Sequence, residues 1–363
     1  MLIQEVIHII ENWAAPALQE SYDNAGLICG NKNETVTGVL VCLDCVESTI
    51  DEAIEQQCNL VIAHHPIVFK GLKSITGKNY VEKTLLKAIK NDIAIYAAHT
   101  NLDSIKQGVN AKIAQKLGLE NCKILAPKKQ LLEKITVFVP LSHAQKVLEA
   151  MHNAGAGNIG NYSHCSFSVN GTGTFKGNEN SNPQLGEKGK IESVQEQRIE
   201  VIVPQYLSNK VLQALKNAHP YEEVAYYQTT LQNEWQDAGS GMIGTLPQPM
   251  SLIEFLQHIK ATLPVNTIKY THFEKNIQKV AVCGGSGSFL LGAAKAAQAD
   301  AFITADFKYH EFFDAEKQLL IADIGHYESE FFTIELIFEY LLKKIPNIAA
   351  RLTTHNTNPV NYF

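Results

Sequence analysis

The sequence predicts an α/β protein in which two related α/β lobes flank an inserted ferredoxin-like α+β module, and three patterns carry that prediction. Apolar runs of strand length alternate with amphipathic helical stretches over roughly the first 125 residues. The same alternation returns from Pro247, and the segment between contains an internal repeat. At 363 residues the chain exceeds the size at which one hydrophobic core stops growing, so several domains are expected. The boundaries fall at 1–128 for the first lobe, 129–242 for the insert and 243–363 for the second lobe.

In the first lobe a helix over 2–13 precedes strand 36–43, helix 48–57, strand 59–63, helix 80–91, strand 93–98 and helix 108–117. Strand followed by helix followed by strand spells a mostly parallel sheet. In the second lobe helix 251–263 precedes strand 280–283, helix 289–297, strands 301–304 and 318–323, and one long helix over 328–344. The middle repeat is explicit. Ile135-Thr136-Val137-Phe138-Val139-Pro140 with the helical stretch 145–151 is echoed by Ile199-Glu200-Val201-Ile202-Val203-Pro204 with 209–215. Each copy is followed by strand-like residues, 165–169 and 224–230, which gives a βαβ-βαβ order. The glycine-rich, polar stretch 171–189 reads as a mobile loop.

The chain carries 31 basic and 37 acidic residues for a formal charge of -6, without a long block of either sign, which offers nothing for nucleic acid or an anionic membrane to recognise. Apolar stretches of about ten residues are too short to span a bilayer. The first residues lack a basic segment with a cleavage site, so a soluble cytoplasmic protein is expected. Seven scattered cysteines suit a reducing compartment, and the Cys42-Leu43-Asp44-Cys45 pattern lies in a strand-like run with no second pair to complete a zinc site.

The chemistry concentrates at strand ends. Leu60-Val61-Ile62-Ala63 runs into His64-His65-Pro66, and imidazole with carboxylate is the ligand set of divalent transition metals. Successive strand side chains point to opposite faces, so both imidazoles converge only if the chain bends or if two ions lie on either side. His99-Thr100-Asn101-Leu102-Asp103 follows another strand, where Asp103 can face the histidine pair or can serve only as a cap, and His99 is a ligand's neighbour or a donor to one. His326 and Glu330, four apart, share one face of a helix that follows Gly325, while Glu328 points elsewhere and favours the helix N-terminus. The turn Gly284-Gly285-Ser286-Gly287 offers backbone amides of Gly285, Ser286 and Gly287 to a phosphate, or is simply a tight strand-to-helix turn. Asp306, Lys308 and His310 follow a further strand, and Glu328, Asp306 and His310 are the candidates for proton transfer. No nucleophile-elbow sequence supports a Ser-His-Asp site.

Taken in order, Asp23-Asn24-Ala25-Gly26-Leu27, Ala63-His64-His65-Pro66, His99 to Asp103, Gly284 to Gly287 and Gly325 to Glu330 resemble the GTP cyclohydrolase I type 2 homologue family, also called NIF-three-like. The middle segment resembles the PII-like or CutA-like insertion of longer bacterial members. The resemblance implies a NIF-three-like fold and a toroidal homohexamer. It also implies a dinuclear centre held by His64, His65, Asp103, His326 and Glu330, with a carboxylate bridging the ions. Three imidazoles among five ligands favour zinc or iron, with manganese next, over magnesium or calcium. The implied activity is metal-dependent hydrolysis of GTP or another phosphorylated, nucleotide-like small molecule. The competing readings are a metal-binding scaffold or regulator whose PII-like module senses a ligand, and a two-metal phosphoesterase.

Overall fold

A computed structural model describes residues 1–182 and 186–363, so that part of the stretch 171–189 lies outside the described residues. The chain divides into two compact units, one of Met1–Pro127 with Asp237–Phe363 and one of Lys128–Gln236. In chain order the strands are β1 Gly26–Cys29, β2 Val39–Asp44, β3 Leu60–His65, β4 Ala94–Ala97, β5 Glu120–Lys129, β6 Leu132–Pro140, β7 Phe167–Lys176 and β8 Ile191–Pro204. There follow β9 Tyr226–Leu231, β10 Glu234–Met250, β11 Lys269–Tyr270, β12 Ile277–Ser286, β13 Ala301–Ala305, β14 Leu320–Asp323 and β15 Ala350–Leu352.

The larger unit holds two sheets with a common plan. In the first, ordered β1-β4-β3-β2-β15, strands β15, β2, β3 and β4 are parallel and β1 runs antiparallel to β4. In the second, ordered β11-β14-β13-β12-β10-β5, strands β12, β13 and β14 are parallel and β11 runs antiparallel to β14. In each sheet the strand that precedes the parallel set pairs with its last member, so the two halves repeat one topology. The parallel strands read as continuous apolar runs because both faces are covered: Leu40, Val41, Val61, Ile62 and Ile95 are fully buried in one sheet, and Ala281, Phe302 and Ile321 in the other. Helix Ile3–Trp13 buries Ile3, Val6, Ile7 and Ile10, a single face at helical spacing. Helix Leu252–Thr262 starts where Ser251 and Glu254 cap one another.

The halves also exchange strands, which the sequence does not reveal. β5, from the first segment, edges the second sheet, and β15, from the last, lies beside β2 in the first. These edge strands are short or polar on one face, so they carry little apolar signal. The helix expected over 328–344 is two, His326–Glu330 and Thr333–Lys344, interrupted at Phe331 and Phe332.

In the smaller unit β6, β7, β8 and β9 form an antiparallel sheet ordered β7-β8-β6-β9, with helices Ala144–Asn153 and Ser208–Ala218 between strands in a βαββαβ order. Ile135, Val137, Val139, Ile199, Val201 and Val203 face the helices' Val147, Met151, Val211 and Leu215 to make one core. Two readings need correction here. The unit ends at Gln236 rather than at 242, because β10 runs unbroken from Glu234 into the larger unit. The first residues of the expected loop, Gly171 to Lys176, are strand, paired with Glu196 to Ile191 of β8, since a backbone ladder needs no side chains. Among the described residues no helix is long and apolar enough to cross a membrane.

Candidate metal centre

The C-terminal ends of the parallel strands in both sheets of the larger unit deliver the chemistry to one place. β3 extends through both histidines, and their ring centroids lie 4.8 Å apart, so the pair converges at the last residues of the strand. Asp103 comes from the short helix Thr100–Asp103 after β4, and His326 and Glu330 from the helix after β14, which starts where Gly325 adopts φ 92°. Three groups of side chains could hold an ion: His64 with Asp103 and Glu330, His65 with His326 and Glu330, and His64 with His65 and His99.

Glu330 belongs to two of these groups through different oxygens. Its Oε2 lies 2.9 Å from His65 Nε2 and 3.1 Å from His326 Nε2, and its Oε1 lies 3.7 Å from His64 Nε2. His64 Nε2 is also 3.7 Å from Asp103 Oδ1, and both atoms are buried without a hydrogen-bond partner among the described residues. Buried polar atoms are normally satisfied. Two ligands about 2.1 Å from a tetrahedral ion stand about 3.4 Å apart, so this spacing fits a shared cation better than a hydrogen bond.

The ring orientations are fixed from behind. His64 Nδ1 bonds the Ala98 carbonyl at 2.8 Å, His65 Nδ1 meets Asp44 at 2.7 Å and His326 Nδ1 meets Asp306 at 2.6 Å. Metal-binding imidazoles are typically held this way, with the remote nitrogen on an acceptor and Nε2 turned to the ion. Asp306, expected to move protons, thus grips His326 and also accepts from Ser286 Oγ at 2.5 Å.

The charges are strongly coupled. Burial opposes charge on His65 and His326, but Asp44 and Glu330 hold His65 up at about 10, and Asp306 and Glu330 hold His326 up at about 11. On His64 burial wins and pushes the imidazole down. Burial, reinforced by Glu330, raises Asp103 well above the carboxylate range, whereas Glu330, despite its own burial, is held well below that range by bonds from His326, His64 and His65. Cys283, nearby, is pushed up by burial and stays a neutral thiol.

The glycine run serves close approach. A Cβ on Gly285, which has φ 60°, would sit 2.4 Å from Glu330 Oε1, and one on Gly287 would sit 2.3 Å from Thr304 Oγ1. The amides of Gly284 and Gly285 already donate to Asn110 and to Ser329 at 3.0 and 2.9 Å. The anion cradle expected at Gly285, Ser286 and Gly287 therefore has its Gly285 amide engaged within the fold. Glu328 is buried and accepts from Asn358 at 3.1 Å, and His310 is exposed against Phe313, outside the cleft lining. The sequence reading gave Asp44 no role and named Asp23 only within the Asp23 to Leu27 motif, yet Asp44 ends β2 in register with His65, at the same strand edge as the histidines.

The centre opens into a cleft of about 990 Å³. Its lining includes the carboxylates of Glu20, Asp44, Asp103, Asp306, Asp323, Glu328 and Glu330 against one lysine, Lys269, with Tyr22, Phe69 and Phe289 as aromatic walls. Lys269 is itself paired with Asp323 at 2.7 Å.

Two repeated α/β halves with imidazoles and carboxylates gathered at their strand ends define a protein built around a candidate metal centre. The model of the family described as Duf34/NIF3 (NGG1p interacting factor 3) matches residues 1–359, and the chain belongs to that family. It is 44% identical over 326 residues to a protein of Halalkalibacterium halodurans named GTP cyclohydrolase 1 type 2 homolog, covering 89% of this chain and 88% of that protein. A Bacillus subtilis protein of the same name is 40% identical over 327 residues, with 89% and 88% covered. Among solved structures, a Bacillus cereus protein related to NIF3 is similar with a TM-score of 0.87 at 40% identity, covering 100% of this chain and 99% of that one.

Proposed function

We propose that the protein is a dinuclear metal-dependent hydrolase of a small phosphorylated, nucleotide-like substrate, with GTP cyclohydrolysis, the activity in its relatives' names, as the first candidate. The observation that carries this reading is Glu330, whose two oxygens serve the His64–Asp103 group and the His65–His326 group. His64, Asp103 and Glu330 would hold one ion and His65, His326 and Glu330 the other, with zinc or iron favoured by the imidazole-rich set and manganese next. Bound there, such ions supply Lewis acidity and a water acidified to near neutrality. Asp44, Asp306 and the Ala98 carbonyl orient the rings, and the aromatic walls Tyr22, Phe69 and Phe289 suit a flat heterocycle. Acidic side chains outnumber basic ones in the cleft lining and Lys269 is paired with Asp323, so a phosphorylated substrate would depend on the ions for much of its binding.

The same reading includes a cytoplasmic, ring-shaped homohexamer whose smaller unit is a PII-like module. The test is metal content of protein purified without chelator, followed by an anaerobic assay with GTP for formate and a fluorescent pterin. About two ions per chain with turnover supports the proposal; a loaded protein inert to GTP moves the search to other phosphorylated heterocycles; a protein that takes up no ions refutes it.

A further inference from the structure

The repeated topology of the two halves sets residues side by side. After β14, the last parallel strand of the second sheet, come His326 and Glu330, four residues apart on a short helix. After β4, the last parallel strand of the first sheet, come His99 and Asp103 at the same spacing, His99 just before the short helix Thr100–Asp103 and Asp103 at its end. Three of these four belong to the ligand groups assigned above, and His99 is the fourth corner.

Its surroundings match those of the assigned imidazoles. His99 Nδ1 meets Asp23 Oδ1 at 2.7 Å, as His65 Nδ1 meets Asp44 and His326 Nδ1 meets Asp306, so its Nε2 is the nitrogen left free. Asp23 is fixed in turn: its side chain is fully buried, and its other oxygen accepts from the Thr100 amide at 3.1 Å and the Thr100 hydroxyl at 2.5 Å. The His99 ring centroid is 5.3 Å from that of His64 and 5.4 Å from that of His65, as near to the pair as His326, which is 5.3 Å from His65. One ring nitrogen from each of His64, His65 and His99 fits within a 4.8 Å span.

Resting on the metal-centre reading above, we infer that His99 is a sixth ligand of that centre and that Asp23 is its positioning residue. A merely structural His99–Asp23 pair would fix the loop after β4 and leave the ions' surroundings unchanged.

The experiment loads wild type, His99→Ala, His99→Gln and Asp23→Asn with Co²⁺, measures affinity by chelator competition, and records the visible d–d spectrum. Circular dichroism of each variant verifies that it folds, and the glutamine variant keeps the side chain's bulk where alanine fails to fold. Loss of His99 is expected to weaken one ion by about tenfold or more and to shift the spectrum, and Asp23→Asn to shift it in the same sense by less. Folded His99 variants with wild-type affinity and an unchanged spectrum would overturn this inference while leaving the dinuclear reading intact. A wild-type protein that binds no Co²⁺ would overturn both.

Discussion

Replacing Glu330 by glutamine removes a charge and a ligand while keeping shape. The side chain is 4% exposed and reaches His65 at 2.9 Å, His326 at 3.1 Å and His64 at 3.7 Å, so the substitution touches both proposed ions at once. Loss of an outer-shell partner alone costs about 10–100-fold in metal affinity. Loss of a direct, shared ligand is therefore expected to cost about 100-fold or more at each ion, close to 3 kcal/mol. Asp103 joins only the His64 group, so Asp103→Ala isolates one ion. The assay is ions per chain by elemental analysis after dialysis against a weak chelator. Wild type should retain about two, Asp103→Ala about one, and Glu330→Gln neither. Full retention by Glu330→Gln, or equal losses in the two variants, would refute the shared-carboxylate argument.

Metal uptake should release protons and tighten as pH rises. His65 and His326 are held above the usual histidine range by their carboxylate neighbours, and an imidazole must be neutral to bind, so protons compete with the ions until the pH approaches those raised values; calorimetry in buffers of different ionisation enthalpy checks this, and affinity independent of pH from 6 to 8 would contradict it. Gly285→Ala should be destabilised by about 1–2 kcal/mol from its left-handed backbone, with metal loss added because the new Cβ meets Glu330 Oε1; thermal melts with and without added zinc separate the two effects. Asp306→Asn should lower affinity by about 10–100-fold without unfolding the protein, and an unchanged affinity would show that His326 needs no support from behind. Adding chelator to the loaded wild type should lower its melting temperature, because ions that bind only the folded chain stabilise it.

The side chains that the fold gathers could be picked out in the sequence because His64, His65 and His326 lie at or just after the ends of apolar strands, whereas Asp103 and Glu330 follow a histidine by four residues on a short helix. Their partners from behind could not. Asp44 and Asp23 are isolated acids whose roles arise only when β2 meets β3 and the chain before β1 returns beside His99, 76 residues away. The inner parallel strands announced themselves by uninterrupted apolar runs, whereas the edge strands β1, β5 and β15 did not, since an edge strand has one partner and less need of apolar side chains. The glycine run stayed open between an anion cradle and a tight turn for a related reason: the close approach of Gly285 to Glu330 and of Gly287 to Thr304 joins residues distant in sequence. His99 was read as a ligand's neighbour or a donor to one, because its correspondence to His326 is a property of the repeated sheet topology.

The central claim is a two-ion centre, and equilibrium titration of the apo protein with Zn²⁺ or anaerobic Fe²⁺ tests it most directly. The account predicts saturation at about two ions per chain, with both sites weakened by Glu330→Gln; saturation at one ion, or binding indifferent to Glu330, would contradict it.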